Sequence, residues 1–128
     1  MTSRDPYNAE VRAYFENPVH AGDLQGEYAT MLVADVSESE KGARVVLSAG
    51  IDDGMIAEIR FRAWGCPHLI AAAELVCREK ENGPADDLDD FSPNGIMQRL
   101  SVPGEKIGRI FLLEDALKSI ARQHAGTN

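Results

Sequence analysis

From Met55 to Trp64 the chain alternates without a break, with Ala57, Ile59, Phe61 and Ala63 opposed to Glu58, Arg60, Arg62 and Trp64. Successive side chains of an extended backbone point to opposite faces, so a period of two predicts a strand with one face in a core and the other toward water. Asp52-Asp53-Gly54 lies immediately upstream and has the composition of a tight hairpin turn. That turn makes the apolar run Arg44–Ala49 the neighbouring strand. The mostly apolar run Tyr28–Val36 is a third strand, reached through the looser, polar and Gly-terminated segment Ser37–Gly42. An antiparallel meander follows.

The periodicity then changes. Pro67 suits a first helical position, Leu69, Ala72, Ala73 and Val76 line one face, and Asn82-Gly83 ends the run. Ser92-Pro93 opens a short helix carrying Ile96, Met97 and Leu100, and the acidic stretch Asp86–Asp90 before it reads as a solvated connector. From Glu105 onward Ile107, Ile110, Phe111, Leu117, Ile120 and Ala121 predict a long amphipathic helix that fades at Gly126. Ahead of the strands, Val11, Tyr14 and Phe15 mark a helix over Asn8–Glu16, stopped by Asn17-Pro18. Strands followed by helices argue an α+β fold, a three-stranded antiparallel sheet with helices packed on one face. At 128 residues, 44% of them hydrophobic, the chain suits one domain over 1–128.

Charge and hydropathy exclude several functions. With 13 Lys and Arg against 21 Asp and Glu, the net charge of −8 argues against nucleic acid as a partner. No apolar stretch approaches the roughly 18 residues of a membrane span, and Met1–Pro6 is polar with no apolar run after it. A cytoplasmic protein is expected. Cys66 and Cys77 lie too far apart on one helix to pair, so both are expected as free thiols.

Cys66 is the residue with the most chemical promise. It stands at a strand end directly before Pro67, where the N–H groups and dipole of a helix favour an anion, so a thiolate would be stabilised there. It reads either as a metal ligand or sulfur nucleophile, or as a small apolar residue filling a strand–helix junction. Cys77 falls near the Ala73–Val76 stripe and reads as a packing thiol. His68 could share a site with Cys66, yet residues two apart face different sides of a helix. His20 and His124 read as surface residues. The sequence carries no Walker A motif, no GxGxxG, no HExxH and no second cysteine pair, and no carboxylate couple stands out for acid/base work. An enzyme is not expected.

Three blocks together resemble a known family. Tyr7-x-x-x-Val11 with Glu16-Asn17-Pro18-x-His20-x-Gly22, then Phe61-x-x-Trp64-Gly65-Cys66 leading into an Ala-rich helix, then Lys106-Ile107 ahead of Leu113-Glu114-Asp115-Ala116-x-Lys118, are similar to the iron-sulfur cluster assembly scaffolds of the IscU type, or NifU N-terminal domain. The resemblance implies that family's α+β fold, an iron-sulfur cluster or iron as the group handled, and cysteine desulfurase and an Hsp70-type chaperone as partners. It also implies a cluster site of three cysteines, with an Asp near the first and a His beside the third. The second cysteine maps onto Cys66. The first falls at Glu40 or Lys41, and the third at Arg109, with Gly108 in place of the adjacent His. The family's chaperone-recognition segment survives as Pro103 and Lys106, while Gly104 and Glu105 depart from it.

Two absent thiols restrict the role. An iron-sulfur cluster needs four protein ligands, usually thiolates, and even a symmetric homodimer joined at Cys66 would supply two. The expected function is an assembly protein with a degenerate cluster site, acting as an adaptor, a regulator or a single-thiol sulfur acceptor. The alternatives are iron or zinc binding through Cys66 with His68 and Glu40 as mixed ligands, and an interaction module no longer engaged in cluster assembly.

Overall fold

The three extended runs form one antiparallel sheet in a computed structural model that describes residues 7–38 and 42–126. Strands β1 (Thr30–Glu38), β2 (Ala43–Asp52) and β3 (Met55–Trp64) lie in the order β1-β2-β3. Asp53 (φ 51°) and Gly54 (φ 74°) both take left-handed backbone, which gives the two-residue hairpin the twist of its flanking strands. β1 starts at Thr30 rather than Tyr28 because the Tyr28 ring is used elsewhere, laid over Gly50 on the outer face of the sheet. A Cβ on Gly50 would stand 2.1 Å from Tyr28 Cδ2.

The alternation of β3 holds from Ile59 onward but not before it. Ile51 pairs with Ile56 while Gly50 pairs with Glu58, so Ala57 is an extra residue on β3. Such a bulge changes the phase of the pleat. Ile56 is buried and Ala57 is exposed, the reverse of the expected inward Ala57.

Among the described residues are four α-helices. Asn8 caps α1 (Ala9–Glu16), its side-chain oxygen accepting the Val11 N–H at 2.8 Å, and the helix stops before Pro18. α2 (Pro67–Lys80) begins on its proline, and α3 (Pro93–Arg99) is capped by Ser92 Oγ, which accepts from the Gly95 N–H. α4 runs over Ile107–Gly126. It does not begin at Glu105, since Gly104–Lys106 is a 3-10 turn that precedes it. The acidic stretch is also not a plain connector. Ala85–Asp87 is a 3-10 turn, Ala85 and Leu88 are buried, and Lys80 Nζ donates to the Asp87 and Asp90 carbonyls at 2.6 and 2.5 Å.

α2 packs on β3 and α4 on β1 and β2, with α1 against α2 and α3 against α4. Leu47, Ile59, Phe61, Leu69, Leu75, Ile110, Leu113 and Leu117 form part of one continuous core. Each such side chain contributes about 1.5–3 kcal/mol by leaving water. The opposite sheet face is covered only in part, over Gly50 and Glu58, while Met31 and Val33 stay exposed on it, and the cover comes from the segment between α1 and β1. Its His20 carbonyl accepts the Phe61 N–H at 3.0 Å and its Gly22 N–H donates to the Phe61 carbonyl at 2.8 Å, so it pairs with the free edge of β3. Farther along, the Glu58 carboxylate accepts from the Gln25 and Gly26 N–H groups and from the Tyr28 hydroxyl at 2.6 Å. Among the described residues no helix is long and apolar enough to cross a membrane.

Candidate functional site

β3 ends at Trp64 and the chain turns at Gly65, whose φ of +152° is open to glycine and strained for other residues. A Cβ there would also press against Leu69 Cδ2 at 3.0 Å. This corner delivers Cys66 to the N-cap of α2, in extended backbone (φ −86°, ψ 163°), with Pro67 opening the helix as the sequence predicts. The Cys66 carbonyl accepts from the Leu69 and Ile70 N–H groups. Its side chain forms no capping bond and is half-buried.

Cys77 is the packing thiol the helical stripe predicts. It is wholly buried, and burial pushes its thiol well up from the ordinary range, with the charges of Glu74 and Glu81 adding to the effect. Both cysteines are free.

His68 is turned into the protein. It is 3% exposed, its ring centroid lies 4.8 Å from that of Tyr7, and Nε2 has no hydrogen-bond partner among the described residues. Burial, and then the charge of Lys106, hold its imidazole below the usual histidine range and so neutral. That charge links the head of α2 with the 3-10 turn before α4. Pro103 precedes the turn, and the Pro103 carbonyl accepts the Lys106 N–H at 2.9 Å.

Gly108 and Arg109 occupy the first turn of α4. The Glu38 Oε2 atom, at the end of β1, lies 3.9 Å from where a Gly108 Cβ would sit. A carboxylate thus stands against the position where the resemblance calls for a histidine, and no motif or spacing in the sequence points to Glu38. Arg109 is half-buried, and its Nε has no hydrogen-bond partner among the described residues. Glu40 and Lys41 lie outside the described residues. Among the described residues no group of three or more His, Cys, Asp and Glu side chains is arranged to hold a metal ion. Of the two cysteines in the sequence Cys77 is wholly buried, which leaves Cys66 as the one half-exposed thiol, whereas an iron-sulfur cluster takes four protein ligands.

The other two histidines are not the surface residues expected. The His124 side chain is 12% exposed with Nε2 3.6 Å from Asp86. His20 is likewise 12% exposed and lies between two carboxylates, Nδ1 2.7 Å from Glu74 Oε2 and Nε2 3.0 Å from Glu81 Oε1. Glu74 is wholly buried and also accepts from the His20 N–H and from Arg78 Nε. Glu81 also accepts from the Ile59 N–H and from Arg60 Nη1 at 2.6 Å, and Arg60 Nε lies 3.3 Å from Glu58. One signal could have found this network: Glu74 interrupts the otherwise apolar run Leu69–Cys77.

Sequence relatives agree with the fold. The chain is 25% identical over 114 residues to the "Iron-sulfur cluster assembly scaffold protein IscU" of Haemophilus influenzae, covering 88% of this chain and 90% of that one. It is 27% identical over 114 residues to the protein of the same name from Rickettsia prowazekii, covering 88% and 87%. A crystal structure of a nitrogen-fixing NifU-like protein (N-terminal) from Brucella abortus superposes with a TM-score of 0.73 at 18% identity, covering 94% of this chain and 95% of that one. Beyond these pairwise likenesses, residues 6–128 match one family throughout, and the chain belongs to the NifU-like N terminal domain family.

Proposed function

We propose that this protein takes part in iron-sulfur cluster assembly on the scaffold fold but with a degenerate cluster site, Cys66 being its one serviceable thiol. The named relatives support the process. The observation that carries the restriction is local: Cys66 caps α2 with a half-exposed side chain, whereas the first turn of α4 offers Gly108 and Arg109. A guanidinium carries a fixed positive charge and does not ligate iron. The role is that of an adaptor, regulator or sulfur acceptor, without catalysis of its own. As acceptor, the Cys66 thiolate would attack the terminal sulfur of a cysteine desulfurase persulfide. A new S–S bond would form at Cys66, and the donor would leave as its thiolate.

The mixed-ligand alternative has less support, because His68 is buried against Tyr7 rather than presented beside Cys66. The test has two arms. Anaerobic reconstitution followed by desalting is expected to leave less than stoichiometric iron and acid-labile sulfide. Incubation with cysteine and a cysteine desulfurase is expected to add sulfur at Cys66, read by mass spectrometry, and not in Cys66→Ser. A stoichiometric cluster would show that the ligand set has been misjudged. Absence of both sulfur transfer and desulfurase binding would leave the interaction-module reading.

A further inference from the structure

The segment from Asn17 to Ala29 is held along β3 by a charge arrangement that needs one proton. Around His20 stand Glu74 and Arg78 from α2, Glu81 just past its end, Glu58 and Arg60 from β3, and Tyr14 from α1, whose ring lies under the Arg78 guanidinium at 4.7 Å. The buried thiol of Cys77 feels the charges of Glu74, Glu81 and Arg60 as well. Three carboxylates face two guanidiniums, which leaves one negative charge uncompensated in a mostly buried cluster. Both ring nitrogens of His20 lie within hydrogen-bond distance of carboxylate oxygens, and an ionised carboxylate can only accept. An imidazolium satisfies both contacts and the charge balance together. A neutral ring would turn a lone pair toward one of the carboxylates.

His20 is also where the segment meets the sheet. Its own N–H donates to Glu74 Oε1 at 2.8 Å, its carbonyl accepts from Phe61, and Gly22 completes the pairing with the β3 edge. The Asp23–Arg62 pair at 2.7 Å holds the next stretch. We propose that His20 is a proton-dependent latch: as imidazolium between Glu74 and Glu81 it fastens Asn17–Ala29 over the open edge of β3, and loss of that proton frees the edge that leads to Trp64-Gly65-Cys66. The latch stands independently of the part played by Cys66, since it concerns which backbone covers β3. Fastening is complete at low pH and lost as pH rises. Because opening is coupled to one proton, the open population grows by at most tenfold per pH unit, and only while the fastened ring keeps a proton that the released ring has lost.

The test is amide hydrogen exchange by NMR on the full chain between pH 6.5 and 9.5, with rates divided by the intrinsic base-catalysed rate. Protection at the Gly22 and Phe61 amides is expected to fall by tenfold or more, while that of Leu113 in the core of α4 stays constant. In Glu81→Gln the amide can donate to a neutral His20 ring and the negative charge is gone, so protection at Gly22 and Phe61 is expected to be flat with pH. Ring nitrogen shifts in the wild type supply a check that needs no variant: both nitrogens of His20 carry protons wherever protection at Gly22 and Phe61 has its full value. Constant wild-type protection across the range, a pH-dependent loss in Glu81→Gln equal to that in the wild type, or a singly protonated ring while protection is full would each overturn the latch.

Discussion

The two thiols differ enough in setting that one alkylation experiment tests the placement of α2. Cys77 is wholly buried and lies in the last turns of α2, where fraying would ordinarily expose it. Fraying is opposed here, because the Glu81 N–H donates to the Cys77 carbonyl, the Glu81 carboxylate holds Arg60 and His20, and Lys80 reaches the Asp87 and Asp90 carbonyls. Modification of Cys77 therefore requires an opening close to global unfolding. Taking about 5 kcal/mol as the low end for a domain, and about 1.4 kcal/mol per decade, such an opening slows labelling by more than a thousandfold. Burial of the thiol also raises it out of the range where thiolate forms, which slows the reaction further. Cys66, half-exposed at the head of the helix, needs no such opening. Iodoacetamide labelling with mass-spectrometric readout of each cysteine in native buffer is expected to modify Cys66 at least about a thousandfold faster, the gap closing at the urea midpoint. Labelling of Cys77 within about tenfold of Cys66 in native buffer would refute the reasoning.

Gly50→Ala should cost about 1–3 kcal/mol by overpacking, since its methyl would meet the Tyr28 ring, and a Tyr28→Ala background should remove most of that cost in urea unfolding. Acid should weaken the protein through Glu58. Burial raises this carboxyl, but the Tyr28 hydroxyl, the Gly26 and Gln25 N–H groups and the Arg60 charge outweigh it and hold the group below the usual range. Its contribution is thus present above the unfolded carboxyl value, near 4.5, and lost as pH falls through the lower folded one. Glu58→Gln should flatten that acid limb in thermal scans at stepped pH. Arg109→Cys should not yield a stable cluster on reconstitution, because even with Cys66 it leaves fewer thiolates than one chain needs.

The meander and the helices could be read from the sequence because they rest on periods of two and 3.6 and on turn and cap chemistry at Asp53-Gly54, Asn17-Pro18 and Ser92-Pro93. The bulge at Ala57 could not, since alternating residues look the same on either side of an inserted one. The covering of the outer face was also hidden. Tyr28 and Val36 both suit a strand, and only the packing against Gly50 shows that Tyr28 lies over the sheet rather than in it. At the site, Cys66 was legible as a strand–helix junction, whereas the burial of His68, His20 and Glu74 was not. Whether a histidine or carboxylate lies inside depends on partners distant in sequence, such as Glu74 for His20 and Tyr7 for His68.

The way α4 and α3 reach back to the beginning of the chain sets the order in which the molecule can be completed during synthesis. Leu32 and Ala34 of β1 are buried on the face that α4 covers, and the Val33 carbonyl accepts from Gln123. Arg99 of α3 likewise grips Glu10 of α1, and its carbonyl accepts from Asn8. The hairpins connect neighbours and can pair as soon as they leave the ribosome, but the apolar face of β1 and β2 has no cover until α4 follows. At the roughly 5–20 residues per second of translation, that face stays open to other chains for seconds. Misassembly is therefore concentrated in the nascent chain rather than in the finished fold.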